Sequence, residues 1–524
     1  MLAKVLTAGL SGIDGRMVSV EVDESNGLPH TVIIGNVSLS VREALERCTV
    51  ALKNSGIPLP PKRLTVSLQP ADFPKNGTGY DLPILVGLLA ALGLLRSDCL
   101  RKYAFFGEVG LDGSLLRVRG ALSLCAAFQS AGLRGAVVPF ENAAEAGMLD
   151  GMDIIGLRNI RELLSLLRSA DSLRSFPRTL PETHPSAEPE LPDFRDIRGQ
   201  HFAVRAALIA AAGGHNLLLS GCAGSGKSMI AKRIPGILPS ISRAEDIEIT
   251  KVYSVAGLLP SSQALFGRRP FRAPHSSVTI PTLIGGSSNG MIFPGELALA
   301  GKGVLFLDEL PLFSRAAIEA LRQPLEDRFV RVNRVRGEFT YPVDCMLVAA
   351  MNPCPCGFFG APGNRCHCTP SQIRHYQRGI SKPILERIDL CVEVSPVKYS
   401  EALSEKAGIS SASLRREVER VRTLQLARFQ PESGKDAMIK DCRPVRCNAE
   451  MGLPEIKKFC VLGQEEQSFM KRVFELKRLS MRTYHKLLKL SRTIADLDSS
   501  ERITIAHLSE AVSYRSLEDR LYGG

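Results

Sequence analysis

The 524-residue chain is 44% hydrophobic and 23% charged, the balance of an ordinary globular protein long enough for roughly three domains. Its longest apolar run, residues 82–95, is too short for a bilayer span. The N-terminus lacks the apolar core of a secretory signal, so no membrane partner and a cytoplasmic location are expected. A net charge of +12 permits a polyanionic partner without requiring one, and the 13 scattered cysteines read mostly as small buried hydrophobes.

Residues 1–168 alternate strand-like and helix-like stretches. Val18–Val22, Val32–Ile34 and Leu64–Leu68 read as strands, and residues 41–53 have helical spacing. A turn-rich loop over residues 74–81 leads to an apolar helix expected over Leu82–Leu95; the hairpin signal Asp112-Gly113 follows. This loop, the helix and the stretch Gly107–Gly120 resemble the proteolytic domain of Lon-type proteases, an α+β fold like ribosomal S5 domain 2. Those enzymes use a serine in the loop and a lysine just after the second glycine region. The matching positions hold Gly79 and Leu122, which can act neither as nucleophile nor as base. The resemblance thus implies the fold without the protease chemistry, as a structural or oligomerisation module. Residues 169–192, with Pro177, Pro181, Pro185 and Pro189, read as an exposed linker.

Residues 193–395 are expected to form an α/β nucleotide-binding core. Gly221-Cys222-Ala223-Gly224-Ser225-Gly226-Lys227-Ser228 fits G-x-x-x-x-G-K-[ST], between an apolar run, Asn216–Leu219, and a helical run, Met229–Ile237. The glycines let consecutive N–H groups face a phosphate, Lys227 reaches the β/γ-phosphates of ATP, and the Ser228 hydroxyl ligates Mg²⁺. Val304–Leu307 is a continuous apolar run, the mark of a strand buried in a parallel sheet, and it ends in Asp308 and Glu309. Asp308 is placed to hold Mg²⁺ and Glu309 to orient and polarise the attacking water. A second run, Cys345–Met351, ends in Asn352, which fits the polar strand-tip residue that positions water in AAA+ ATPases; an ordinary Asn-Pro turn is the alternative. Arg387, ahead of the strand Leu390–Val394, resembles the arginine finger that reaches a neighbouring subunit's γ-phosphate, and that role stands or falls with a ring. Taken alone it would be a structural ion-pair residue.

Residues 396–524 read as mostly helical, with amphipathic spacing over Leu414–Phe429 and Glu465–Leu476. The segment Arg478–Leu490 resembles the helical lid of AAA+ proteins, with Arg482 in the sensor position on the nucleotide and Arg492 as a second candidate. Residues 503–515 resemble the closing helix of that lid. Two further features stand apart from ATP. Arg328, Arg331, Arg334 and Arg336 alternate in part with valines, so a hairpin there would be apolar on one face and cationic on the other. Such a hairpin could meet DNA without reading its sequence, the alternative being a solvated strand face. Arg268, Arg269 and Arg272 add charge nearby. Cys354, Cys356, Cys366 and Cys368 form two C-x-C pairs suited to a structural Zn²⁺, with free buried thiols as the alternative.

The motifs together, Arg269-Pro-Phe-Arg-Ala-Pro-His275, Pro294-Gly-Glu-Leu-Ala-Leu-Ala300, Phe306-Leu-Asp-Glu-Leu310, Asn352-Pro-Cys-Pro-Cys-Gly357 and Glu386-Arg-Ile-Asp-Leu390, resemble the magnesium-chelatase-like AAA+ ATPases of the YifB/ComM family across essentially the whole chain. Cys222 stands where a proline is common, Ser276 replaces a second histidine after His275, and Glu386 replaces a common aspartate; none of these removes a catalytic group. The resemblance implies a homohexameric, ATP-driven motor on single-stranded or branched DNA, a helicase for branch migration during recombination in natural transformation. A chelatase-like ATPase that remodels a protein partner is the alternative.

Overall fold

The computed structural model describes residues 2–26, 28–95, 100–167, 191–260, 263–288, 291–334, 337–361, 363, 365–397, 408–430 and 445–515. Nearly all of the proline-rich stretch expected as a linker, and Arg336, lie outside the described residues.

The N-terminal part is built on a mixed sheet of seven strands. In chain order these are β1 (Leu2–Ser11), β2 (Asp14–Ser25), β3 (His30–Ile34), β4 (Arg63–Gln69), β5 (Tyr103–Phe105), β6 (Gly135–Pro139) and β7 (Asp153–Leu157). They lie side by side as β3-β4-β2-β1-β5-β6-β7. β1 and β2 form an antiparallel hairpin with Val5 opposite Val20, and period-two alternation sends Val18, Val20 and Val22 inward. Helix α1 (Asp81–Ala91) lies on this hairpin with every residue buried, which explains its lack of a polar face. It stops four residues short of the apolar run because Gly93 turns the chain at φ +74°. Gly87 permits the contact, since a Cβ there would sit 2.6 Å from a Val22 methyl. At the two positions matched to the protease dyad, the Gly79 carbonyl accepts from the Gly107 N–H (3.0 Å) and the Leu122 N–H donates to Glu145 (2.9 Å).

The second sheet is wholly parallel. Its strands are β8 (Leu217–Ser220), β9 (Phe271–Arg272), β10 (Val304–Leu307), β11 (Met346–Met351) and β12 (Leu390–Glu393), ordered β9-β10-β11-β8-β12. Alternation divides the core. Leu217, Leu219, Phe306 and Val348 face α2 (His201–Gly213) and the C-terminal helices, whereas Leu218, Leu305, Leu307 and Leu347 pack on α3 (Arg243–Ala256) and the segments after it. Short-range fit binds the two sheets together: Ser254 of α3 donates to the buried Glu145 and accepts from the Gly120 N–H (2.9 Å).

The C-terminal part is helical, with α4 (Ser411–Phe429), α5 (Gln464–Leu476), α6 (Met481–Leu497) and α7 (Ile505–Ser513). α6 begins three residues after Arg478, because Ser480 caps it by accepting from the Thr483 N–H (3.2 Å). Arg492, the second sensor candidate, is engaged in contacts within the helical part. It is buried, holds Asp496 at 3.0 Å and donates to the Glu501 carbonyl at 2.7 Å, closing the end of α6. Among the described residues, no helix is long and apolar enough to cross a membrane.

Candidate active site

β8 runs into the glycine-rich loop at the carboxyl end of the parallel sheet, where open α/β sheets bind ligands. Gly221 lies so close to the Val394 carbonyl that a Cβ would meet it at 2.3 Å, and Gly224 and Gly226 take φ +76° and +91° in open space. Those left-handed turns are cheap only for glycine. The chain then enters a helix at Lys227. The Lys227 ammonium is buried and donates to the carbonyls of Gly221 (2.7 Å) and Cys222 (2.9 Å) and to Asn352 Oδ1 (3.1 Å). Desolvation lowers its pKa, and the nearby Asp308 carboxylate opposes that. In the same loop the buried Ser225 hydroxyl has no hydrogen-bond partner among the described residues.

The acid strand and the tip of the middle strand arrive beside this loop. The Ser228 hydroxyl donates to Asp308 Oδ2 at 2.8 Å, the direct contact expected of two groups that share one cation. The backbone N–H of Glu309 donates to Asp308 Oδ1 (3.0 Å), and Glu309 takes φ +53°. A non-glycine residue there carries backbone strain, which accumulates at functional sites. The turn leaves the Glu309 side chain exposed past the carboxyl end of β10. β11 lies between β8 and β10, so Asn352 stands between the phosphate loop and the acids. Lys227, Ser228, Asp308 and Asn352 are thus brought together, with Glu309 beside them.

The four cysteines follow Asn352 directly. Their sulfurs all lie within 4.8 Å of one another, a set with the geometry of a metal site; Cys354 is buried and the other three are half-buried. The backbone N–H of Phe358, then the Cys354 thiol, hold the Cys356 thiol down to about 6. The turn inside the cluster touches the phosphate loop, the Gly357 carbonyl accepting from the Ala223 N–H at 3.1 Å.

Arg387 and Arg482 are not at this end of the sheet. Both guanidinium groups bind Glu326, one on each carboxylate oxygen. Arg387 is buried, donates to the Pro383 carbonyl (2.8 Å), and has no partner for its Nε among the described residues. Asn216, at the amino end of β8, accepts from Leu347 N–H (2.9 Å) and donates to the Arg387 carbonyl (2.9 Å). From there to Gly221 is about 16 Å along the strand, five residues at roughly 3.3 Å each. The arginines line a cleft of about 810 Å³ with Glu326, Glu386 and Lys486. Asp389, also in the lining, bonds Lys486 (2.8 Å) and approaches His215 (3.5 Å). Although burial works the other way, the Lys486 ammonium and a hydrogen bond with His215 hold the Asp389 carboxyl far below the usual range, and burial lowers the His215 pKa.

The basic hairpin exists, Phe329–Arg334 pairing antiparallel with Gly337–Pro342, and it orients its residues unevenly. Val330 and Val332 are buried, while Arg331 is exposed with its guanidinium 4.8 Å from the Phe329 ring centroid. Arg334 lies on the outgoing strand. Arg328 departs from the expected DNA-facing set: at φ +61° it turns inward toward Asp344 (3.7 Å) and Glu450 (3.6 Å). Arg269 and Arg272 are likewise committed, Arg269 to the Lys302 carbonyl (2.7 Å) and Glu245 (3.1 Å), Arg272 to both oxygens of Glu296 (2.6 and 2.7 Å). Glu326 belongs to no motif, and the motif that ends at Gly357 does not show what that glycine touches; each acquires its place through a contact distant in sequence.

A five-stranded parallel sheet with a phosphate-loop sequence at its carboxyl end defines the class, an α/β P-loop protein. Comparisons narrow it. Residues 193–402 match the family model described as magnesium chelatase, subunit ChlI; residues 20–142 match subunit ChlI of Mg-chelatase, and residues 408–515 its C-terminal region. The chain is 38% identical to the protein YifB of Salmonella typhimurium, covering 99% of this chain and 98% of that one. It is 37% identical to the competence protein ComM of Haemophilus influenzae, covering 98% of each. The chain belongs to the magnesium-chelatase-like family of AAA+ ATPases that includes YifB and ComM.

Proposed function

We propose that this protein is a ring-forming ATP hydrolase that converts hydrolysis into movement on DNA. The convergence of Lys227, Ser228, Asp308 and Asn352 on one strand end carries the reading. The loop amides and Lys227 would hold the β- and γ-phosphates, and Ser228 and Asp308 would hold Mg²⁺, which when bound neutralises phosphate charge. Glu309, exposed on a strained turn beside them, orients and polarises the attacking water, and Asn352 helps to position it. Arg387 and Arg482 lie at the opposite end of the sheet, so in this reading both serve the nucleotide of the next subunit. This favours a closed ring, a homohexamer. Residues 1–168 then form a Lon-like module without its dyad, 193–395 the motor core and 396–524 a helical lid, all in the cytoplasm.

A DNA substrate is supported by the net charge of +12, by Arg331 exposed on the hairpin beside Arg334, and by one relative's name, competence protein. The natural fit is branch migration during recombination of incoming single strands. The ChlI models favour a second reading, a motor that remodels a protein partner. ATP hydrolysis measured with and without single-stranded DNA, for wild type and Glu309→Gln, separates the two. Stimulation by DNA that the substitution abolishes supports the DNA motor; hydrolysis indifferent to DNA transfers support to the remodelling machine. Protease activity has no residues to carry it at Gly79 and Leu122, so casein should remain intact.

A further inference from the structure

The proposed reaction makes no use of the cysteine cluster, yet the cluster adjoins the phosphate loop. Cys354 Sγ lies 3.3 Å from Cys356 Sγ and 3.7 Å from Cys366 Sγ, and Cys356 and Cys366 are 3.6 Å apart. Four thiolates at roughly 2.3 Å from one tetrahedral Zn²⁺ would stand about 3.8 Å from each other. The donor set therefore fits zinc with little rearrangement. The Phe359 N–H donates to Cys354 Sγ at 3.3 Å, the kind of outer contact that disperses thiolate charge around a metal. The segment from Pro353 to Thr369 contains no helix or strand among its described residues, and Cys354 and Gly357 are the buried residues in it. A stretch so poor in core needs a staple, and a metal supplies one.

What the staple holds is specific. Gly357, at φ +82°, is bent back by its own N–H to the Cys354 carbonyl (3.0 Å) and presents its carbonyl to the Ala223 N–H (3.1 Å). A Cβ on Gly357 would lie 3.0 Å from the Ala223 Cβ, so the two loops are in contact. Two residues before Cys354, Asn352 binds Lys227, and Gln377 donates to the Pro353 carbonyl at 3.0 Å. The cluster thus forms the outer wall of the phosphate loop and anchors the strand tip that holds its lysine.

We propose that Cys354, Cys356, Cys366 and Cys368 bind one structural zinc ion, and that this ion sets the affinity of the phosphate loop for nucleotide. The zinc would take no part in the reaction itself, because four protein ligands leave it no open position. The proposal rests on the ATP reading above, and its test separates the two. Elemental analysis of the full chain should find about one zinc per chain. A fluorescent ATP analogue is then titrated, with Mg²⁺ in excess, before and after treatment with a zinc-selective chelator. Coupling between the sites predicts binding about tenfold weaker after stripping, restored by added zinc. Gly357→Ala should keep its zinc and still bind nucleotide more weakly, which guards against a loss caused by misfolding. Zinc at a small fraction of one per chain overturns the site. Unchanged affinity after stripping, or wild-type affinity in zinc-loaded Gly357→Ala, overturns the coupling. Zinc-loaded wild type that binds no ATP analogue overturns the ATP reading and the coupling with it, while the metal content still decides the site.

Discussion

The two ends of the parallel sheet are built on different principles. At the carboxyl end one chain supplies a set of groups already in contact: Lys227 on Asn352, Ser228 on Asp308. At the amino end two arginines share the Glu326 carboxylate, and the buried Nε of Arg387 has no partner among the described residues. A buried cation without a full set of acceptors is costly, so this arrangement suits groups waiting for an anion from outside the chain. Under the proposed ring, a complete reaction centre takes one end from each of two copies.

The sharpest way to break this comparison is to remove one end at a time. Lys227→Ala should lose ATP binding and hydrolysis outright; if Arg387 acts on the neighbouring nucleotide as proposed, Arg387→Ala should keep ATP binding while hydrolysis falls by roughly 10³-fold or more. A steady-state phosphate-release assay paired with nucleotide titration reads both. If Arg387→Ala hydrolyses normally, the amino end is structural and the comparison fails.

A smaller effect is expected at Glu326. Glu326→Gln should leave nucleotide affinity unchanged and alter hydrolysis only severalfold, because it loosens the arginines without deleting them. Its cost to stability should be about 1 kcal/mol, since the carboxylate is 44% exposed. A thermal melt and a rate measurement check it, and a loss as large as that of Arg387→Ala would make Glu326 itself part of the chemistry.

The smallest expected effect is a pH dependence. The folded-state pKa values of His215 and Asp389 are both depressed, so the unfolded chain takes up more protons as pH falls. Stability is full above the ordinary histidine range near 6.5 and should decline below it, with Asp389 adding a further loss below about 4. Melts between pH 7.5 and 5 should show the first decline, and His215→Gln should flatten it. A melting point that rises on acidification would mean that the cluster behind the arginines is wrongly described.

How legible all this was in sequence depended on separation along the chain. The phosphate loop, the strand ending in Asp308 and Glu309, and Asn352 announce themselves through short fixed spacings, and the parallel sheet follows from their apolar runs. The arginines did not, because ion pairing is decided by partners far away. Arg482 meets Glu326 across 156 residues, and Arg328, Arg269 and Arg272 look available in sequence yet are tied to acids or carbonyls. Arg492 has sensor-like placement on a helix but closes that helix on Asp496. The apolar run predicts a helix to residue 95, whereas Gly93 decides where the chain turns.

The most direct test of a two-copy reaction centre mixes two inactive proteins. Glu309→Gln retains its arginines, and Arg387→Ala retains its phosphate loop and water-orienting acid. Mixed in equal amounts under conditions that let subunits exchange, they should recover about a quarter of wild-type hydrolysis, because one neighbouring pair in four joins an intact carboxyl end to an intact amino end. Recovery of that order is what the account predicts; a mixture as inactive as its components, with exchange demonstrated, would contradict it.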